Sequence, residues 1–250
     1  MSKINWKATS KIILGIIVLP LLLFTFYQLS DYFLSDRCKK VEINIKNAEN
    51  YYFINQKDVE FALTKRGSEP LIGKLFEKIN LRQLEQRLLQ NKQIKSCQVY
   101  RGVEGVLNVD IEQYIPIARI LEKGCYLSSE GTFFPLSDRY SARILLLSGD
   151  FFKGLNNLRA TKHEKFLRFI NQINEDSFLK SQFSQLEINS AGNITIVPLF
   201  GKHLIEFGDA SNISNRLNRL KIFYKQILPV KGWDEFSNIS VKYNGQIVCK

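Results

Sequence analysis

Hydrophobic and polar positions follow a changing rhythm along the chain. From Ile12 to Ser30 there are 19 positions without a charge, most of them Ile, Leu, Val or Phe. As a helix at 1.5 Å per residue such a run spans roughly 28 Å, about the hydrocarbon thickness of a bilayer. Beyond it, periods of two and of 3.6 alternate. Val41, Ile43 and Ile45 share one face of a predicted strand. Asn55 offers an N-cap to a short helical stripe of Val59, Ala62 and Leu63, which Gly67 and Pro70 break. Asn80 opens a second helix whose apolar face carries Leu81, Leu84 and Leu88, with Arg82, Glu85, Gln86 and Arg87 outward. Residues 94–100 are extended in character. After a turn at Gly102 to Gly105, Leu107, Val109 and Ile111 alternate again. The predicted order is β-α-α-β-β, and two helices on one face of a small sheet make a stable two-layer body.

Pro116 interrupts this pattern and marks a seam. Tyr126 to Leu136, turning at Glu130-Gly131, reads as a hairpin, and Ile144 to Leu147 as a short central strand ended by Gly149. Thr161 and Glu164 have the spacing of a capping box ahead of a helix bearing Phe166, Phe169, Ile170 and Ile173. Leu186 and Ile188, then Ile194 and Ile196, alternate on either side of an Ala191-Gly192 turn, and Leu204 to Gly208 is another strand. Ser211 is the expected cap of a long helix with Ile213, Leu217, Leu220, Tyr224 and Ile227 on one face, ended by Pro229 and Gly232. Ile239, Val241 and Tyr243 are expected on one face of a last strand. Asn244-Gly245 then gives a tight-turn signal before Gln246 to Cys249. The expected fold class is α+β: one transmembrane helix, a β-α-α-β-β domain, and a second β-rich domain with two covering helices. The expected boundaries are a tail at 1–11, the membrane helix at 12–33, a linker at 34–40, and domains at 41–116 and 117–250.

A cleaved signal peptide calls for a shorter apolar stretch and small residues at the cleavage point, and no A-x-A-like triplet follows Tyr27. A buried core helix of this length would need polar relief. The pattern favours a retained anchor, represented by Ile12, Leu14, Ile17, Leu21, Leu23 and Phe26, with Trp6 before the run and Tyr27 and Tyr32 at its far end, at interfacial positions. Pro20 is tolerated in a membrane helix. Lysine and arginine counts on the two sides nearly tie. An 11-residue basic tail without a folded domain is the segment least suited to translocation, so the tail is expected in the cytoplasm.

Lys plus Arg is 35 and Asp plus Glu is 24, a formal charge of +11. Such an excess fits nucleic acid, anionic lipid or an acidic polymer. If residues beyond the anchor lie outside the cytoplasm, nucleic acid drops out, and the remaining 32 basic against 24 acidic residues are spread thinly. The expected partners therefore include a membrane but neither nucleic acid nor a small-molecule substrate.

Candidate chemistry is sparse. HExxH, paired CxxC, GxSxG and Walker-type motifs do not occur. Ser177-Phe178-Leu179-Lys180 matches S-x-x-K without its companion S-D-N and K-T-G elements. His163, in the first turn of a helix, and His203, in a strand pattern, read as structural or surface residues, and no carboxylate pair stands out. The expectation is no enzyme, no catalytic residue, no metal and no cofactor. Cys38, Cys97, Cys125 and Cys249 allow three disulfide pairings, among which the sequence does not choose. Asn193, Asn212 and Asn238 each begin an N-x-[ST] triplet, for which chance is the better account in a chain rich in Asn and Ser.

The layout of basic tail, membrane helix, β-α-α-β-β domain and β-rich domain resembles the bacterial cell-division FtsQ/DivIB family, whose first outer domain is a POTRA (polypeptide-transport-associated) module. Val41 to Ile45 stands for the opening strand, and Leu84 to Leu89 with Ile94 and Val99-Tyr100 for the second helix and the strand after it. Gly105 to Val109 and Gln113 through Ile120 stand for the last strand and exit. Tyr126, Gly131 and Phe134 to Leu136 resemble the opening hairpin of the second domain. Leu217 to Tyr224, Trp233 and Ile239 to Tyr243 resemble its end, and the ending Gln246 to Lys250 looks like the Bacteroidetes branch.

The resemblance implies a non-enzymatic, single-pass type II protein of the bacterial inner membrane with its C-terminal domains in the periplasm. It implies bitopic coiled-coil partners of the FtsB and FtsL type and, through them, the septal wall synthase. The implied contact surface is the last strand of the second domain with the adjoining helix, where a partner adds a strand and satisfies unpaired N–H and C=O groups. By position this carries onto Ser240, Lys242 and Tyr243, the tyrosine supplying a large apolar face with a polar tip. The alternative is a POTRA-bearing membrane protein that assists outer-membrane protein assembly or secretion. Such proteins usually feed a barrel or repeat the module, and one copy and no barrel pattern are seen here.

Overall fold

The computed structural model of the chain describes residues 19–27, 37–48 and 51–250. Of the expected anchor residues, Ile12, Leu14 and Ile17 lie outside the described residues. Leu21, Leu23 and Phe26 lie on a helical stretch at 19–27 with their side chains exposed. No helix among the described residues is long and apolar enough to cross a membrane.

The described chain forms two compact units. The first comprises the described residues up to Lys46 together with residues 55–112. Its elements are β1 (Lys40–Lys46), α1 (Gln56–Leu63), α2 (Leu81–Leu89), β2 (Ile94–Arg101) and β3 (Val106–Gln113), the β-α-α-β-β order that the periodicity predicts. The sheet order is β1-β3-β2, with β1 parallel to β3 and Ile43 opposite Val109. Leu107, Val109 and Ile111 are fully buried, and Leu63, Leu84 and Leu88 are buried in the same unit. Burying each such side chain contributes about 1.5–3 kcal/mol. Both expected caps are present. Asn55 Oδ1 accepts from the Asp58 amide at 2.9 Å while Asp58 accepts from the Asn55 amide at 3.1 Å, and Asn80 accepts from the Gln83 amide at 3.0 Å.

The second unit comprises Asn47–Ile54 and Gln113–Lys250. It holds a nine-stranded mixed sheet in the order β12-β11-β10-β9-β8-β7-β4-β5-β6. The strands are β4 (Pro116–Ile120), β5 (Cys125–Ser128), β6 (Phe133–Pro135), β7 (Leu145–Ser148), β8 (Phe183–Ile188), β9 (Ile194–Pro198), β10 (Leu204–Gly208), β11 (Asn238–Ser240) and β12 (Val248–Cys249). Helices α3 (Glu164–Glu175) and α5 (Ile213–Gln226) supply the expected cover, with two short helices, α4 (Ser177–Gln182) and α6 (Leu228–Lys231), beside them. The Phe169 ring of α3 packs 4.5 Å from Phe207 of β10, and Tyr224 of α5 meets Phe183 of β8 edge-on. Asn47–Ile54 joins this unit through aromatics. The Phe53 ring lies 5.3 Å from Tyr140 and 5.5 Å from Tyr126, and Gln113 Nε2 donates to the Tyr51 carbonyl at 2.9 Å.

The 126–136 hairpin forms with Tyr126 opposite Phe134, and β7 is central, between β4 and β8. Gly149 ends β7 at φ 110°, where an added Cβ would sit 2.1 Å from the Ile188 carbonyl oxygen; no other residue fits.

Two expected caps are corrected. Thr161–His163 is a 3₁₀ turn, α3 starts at Glu164, and neither start has a side-chain cap. A capping box needs an extended N-cap residue, and His163 before α3 is already helical at φ −99°, ψ −2°. Glu164 instead pairs with Arg168 at 2.7 Å. Ser211 does not cap α5, because left-handed Asn212 intervenes at φ 46°, and the Ser211 hydroxyl donates to Asp209 at 2.7 Å. The four cysteines are free thiols, with Cys38 fully buried.

Candidate functional site

The site expected from the sequence lies at the β10–β11–β12 end of the second sheet. β11 runs parallel to β10, with Ile205 opposite Ile239 and Glu206 opposite Ser240. On its other side β11 runs antiparallel to β12, with Ile239 opposite Cys249 and Ser240 opposite Val248. The segment beginning at Ile239 is therefore not the open edge. Ser240 is buried inside the ladder between two neighbours. The expected alternation also stops early. Ile239 and Val241 are fully buried, but Tyr243 is 46% exposed, because the chain leaves the ladder after Val241 and turns at 243–245.

The last strand in the sheet order is β12, and no described strand lies beyond it. Lys250 donates its amide to the Asn238 carbonyl at 3.0 Å and accepts from the Asn238 amide at 3.2 Å. In an antiparallel ladder the residue between two such bonded positions turns its own N–H and C=O the other way. Cys249 thus presents a main-chain donor and acceptor outward.

Two arginines of α5 hold the loop that joins β11 to β12. Arg219 donates through Nη1 to the carbonyls of Tyr243 (2.9 Å) and Gln246 (2.5 Å) and through Nη2 to that of Val241 (3.1 Å). Buried Arg216 donates to the carbonyls of Phe207 (3.2 Å), Asp209 (2.8 Å) and Lys242 (3.1 Å) and to the Asp209 carboxylate (2.9 Å). Ser211 and then Arg216 hold the Asp209 carboxyl below its usual range. The arginine fork suits divergent carbonyls that a point-charge lysine would serve poorly.

Charge is concentrated around Glu206. Asn238 Nδ2 donates to it at 3.0 Å, and Lys242 Nζ lies 3.1 Å from its second oxygen. Asn238 first and Lys242 next push the Glu206 carboxyl down, and Glu206 pushes the Lys242 ammonium up. The same ammonium stands 5.2 Å over the Tyr243 ring. Lys242 and Tyr243 are therefore neighbours on the exposed connection after β11, with Lys242 reaching back to β10, while Ser240 is buried within the ladder. Arg216, Arg219 and the Val248–Cys249 edge escaped the sequence reading. A signal for Arg216 existed, since it interrupts the apolar stripe Ile213, Leu217, Leu220.

The two histidines have structural positions. His203 is buried, and its Nε2 lies 2.7 Å from the Tyr224 hydroxyl. His163 is buried edge-on against Phe151 at 5.6 Å. Burial lowers the pKa of both and raises that of Tyr224. Among the described residues, no group of three or more His, Cys, Asp or Glu side chains is placed to hold a metal ion. Ser177 is the first residue of α4, directly after its cap Asp176.

Residues 36–112 match the model of the POTRA-like domain, and residues 115–250 match that of the FtsQ/DivIB, C-terminal related family. Both describe non-catalytic scaffold domains. No curated protein matches the chain significantly. The second match spans more than half of the sequence and contains the whole β10–β12 site, and the chain belongs to the FtsQ/DivIB family.

Proposed function

We propose that the chain is a bitopic, non-enzymatic scaffold of the bacterial division complex. Residues 12–33 anchor it in the inner membrane, residues 1–11 stay in the cytoplasm, and the two units stand in the periplasm. An extended segment of a coiled-coil partner of the FtsB or FtsL type adds a strand beside β12, and through that partner the scaffold couples to septal peptidoglycan synthesis. The observation that carries this reading is the open ladder edge at Val248–Cys249, reached through the β11–β12 connection that carries the exposed Lys242 and Tyr243. Main-chain pairing supplies affinity, and the adjoining side chains select the partner. A strand of two residues also leaves little open ladder for indiscriminate pairing, the usual hazard of a sheet edge.

The test is capture of the detergent-solubilised full chain with mass spectrometry of what accompanies it. Coiled-coil division proteins should co-purify with the parent chain and be lost from Tyr243→Glu at an unchanged melting temperature. Equal capture by parent and variant would remove Tyr243 from the contact.

A further inference from the structure

We propose that the groove between β1 and α1 of the first unit is a docking site for an anionic phospholipid of the bilayer that holds the chain. The proposal rests on reading residues 12–33 as a membrane anchor.

The groove has a volume of about 490 Å³ and is lined by Phe61, Leu63, Leu71 and Ile72 together with Lys39, Arg66 and one carboxylate, Glu60. Phe61 and Ile72 are 59% and 66% exposed. Lys40 also lines the groove but pairs with Glu42 at 2.8 Å. Among the described residues, neither Lys39 nor Arg66 makes an ion pair. Phe61 and Arg66 also border a second cavity of about 530 Å³. Its lining is polar, with Lys65, Gln83, Gln86 and Arg87. Lys65 and Arg87 both reach Glu69, so Arg66 is the cation that both cavities share without a carboxylate partner.

An apolar trough that shares Phe61 and Arg66 with a neighbouring polar, cationic cavity matches a molecule with a hydrocarbon part joined to an anionic headgroup. Distance selects the source of that molecule. Residues 31–36 separate the charge-free run from Arg37. An extended chain covers at most about 3.6 Å per residue, so Arg37 stays within roughly 25 Å of the end of the run. The groove opens immediately after, at Lys39, within reach of headgroups. Exposed aromatic and branched side chains ringed by basic ones are the composition that interfacial segments use.

The experiment places Phe61→Trp in the full chain, reconstituted in nanodiscs of phosphatidylcholine alone or with phosphatidylglycerol. The parent chain is measured alongside to subtract Trp6 and Trp233. Acyl-brominated lipid should quench the added fluorescence and shift it to the blue in the anionic discs. Lys39→Gln with Arg66→Gln should weaken this, each lost charge lowering lipid occupancy about fivefold. Water-like emission from the introduced indole in both discs, without quenching, would overturn the proposal. So would shielding of that indole without lipid quenching, which would mean a protein occupant. Release of the chain from discs by an alkaline wash would instead remove the anchor reading. The same chain would then be sedimented with phosphatidylglycerol vesicles: binding lost in the double variant upholds the lipid site, and absence of binding refutes it.

Discussion

The guanidinium of Arg219 donates to the main-chain carbonyl of Tyr243 at 2.9 Å. A helix residue thus fixes the point where the exposed tyrosine turns away from the sheet. The same side chain holds Val241 before the turn and Gln246 after it, so α5 sets the whole β11–β12 connection. The neighbouring Arg216 performs the same role one helical turn earlier, on the carbonyls at the end of β10 and at Lys242. The adjoining helix therefore governs the shape of the edge even where no partner touches it.

Replacing Arg219 with Ala should loosen the 241–250 segment and leave the sheet interior intact. Hydrogen bonds from a charged donor are worth about 1.5–3 kcal/mol each when buried, and less at a partly exposed site. Local opening should become about tenfold more frequent, read as faster amide exchange in 246–250 with unchanged exchange in β8 and β9. Uniformly faster exchange would mean that Arg219 supports the whole unit. Arg219→Lys should behave nearly like Ala, because one ammonium cannot serve three divergent carbonyls.

Two neighbouring proline substitutions separate the outer from the inner side of β12. Cys249→Pro removes an amide that points away from β11, and Val248→Pro removes one that faces Ser240. Cys249→Pro should weaken partner capture about tenfold or more, roughly 1.4 kcal/mol, at an unchanged melting temperature. Val248→Pro should detach β12 and lower the melting temperature. If Cys249→Pro captures partners as well as the parent, strand addition at this edge is wrong.

Asp176 gives an acid-stability prediction. Its carboxylate binds Lys221 Nζ at 2.5 Å and accepts from the amides of Phe178 and Leu179, capping α4. Lys221 is the main cause that holds its pKa below the ordinary aspartate value; burial, the next largest, opposes it, and the amides of Leu179 and Phe178 add to the lowering. A depressed native pKa contributes stability above the unfolded value, and that stability is lost as pH falls from about 3.8 through the native pKa. Asp176→Ala should cost about 1 kcal/mol at pH 7. Its urea midpoint should also change less than the parent's between pH 5 and pH 3. Equal acid sensitivity in the two would mean that Asp176 is not a source of it.

The first unit was legible because its signals are local. Period-two strands and the Asn55 and Asn80 caps depend on residues within one turn of each other. The end of the second unit was less so. Nothing local tells Ile239 whether its far side is open, since that depends on Val248 returning across a loop held by a helix distant in sequence. Tyr243 continues the period of Ile239 and Val241 on paper, and tertiary bonds from Arg219 break that period in space. Thr161 and Ser211 failed as caps for the opposite reason: their spacing was right, but the backbone of His163 and of Asn212 was not extended. The arginines bind carbonyls, which carry no side-chain signature, so only the break that Arg216 makes in the apolar stripe of α5 hinted at them.

His203 and Tyr224 form a buried pair, 2.7 Å apart between ring nitrogen and hydroxyl. Burial is the main cause of the lowered His203 pKa, and the Trp233 backbone and the Asp234 charge oppose it weakly. A histidine kept neutral in the fold takes up a proton on unfolding, so stability is full above about pH 6.5 and falls as pH drops below it toward the native pKa. The slope is at most about 1.4 kcal/mol per pH unit in that window. His163 is shifted the same way and contributes to the parent's slope. The informative quantity is therefore the difference between the parent and His203→Gln, measured as unfolding free energy at pH 7.5 and 5.5. The variant should be less stable at pH 7.5 and should lose less on acidification. Tyr224→Phe should cost about 1–3 kcal/mol at pH 7.5, because it leaves a buried ring nitrogen without its partner. Parallel pH profiles for parent and His203→Gln would show that His203 is free to protonate within the fold, contrary to its burial.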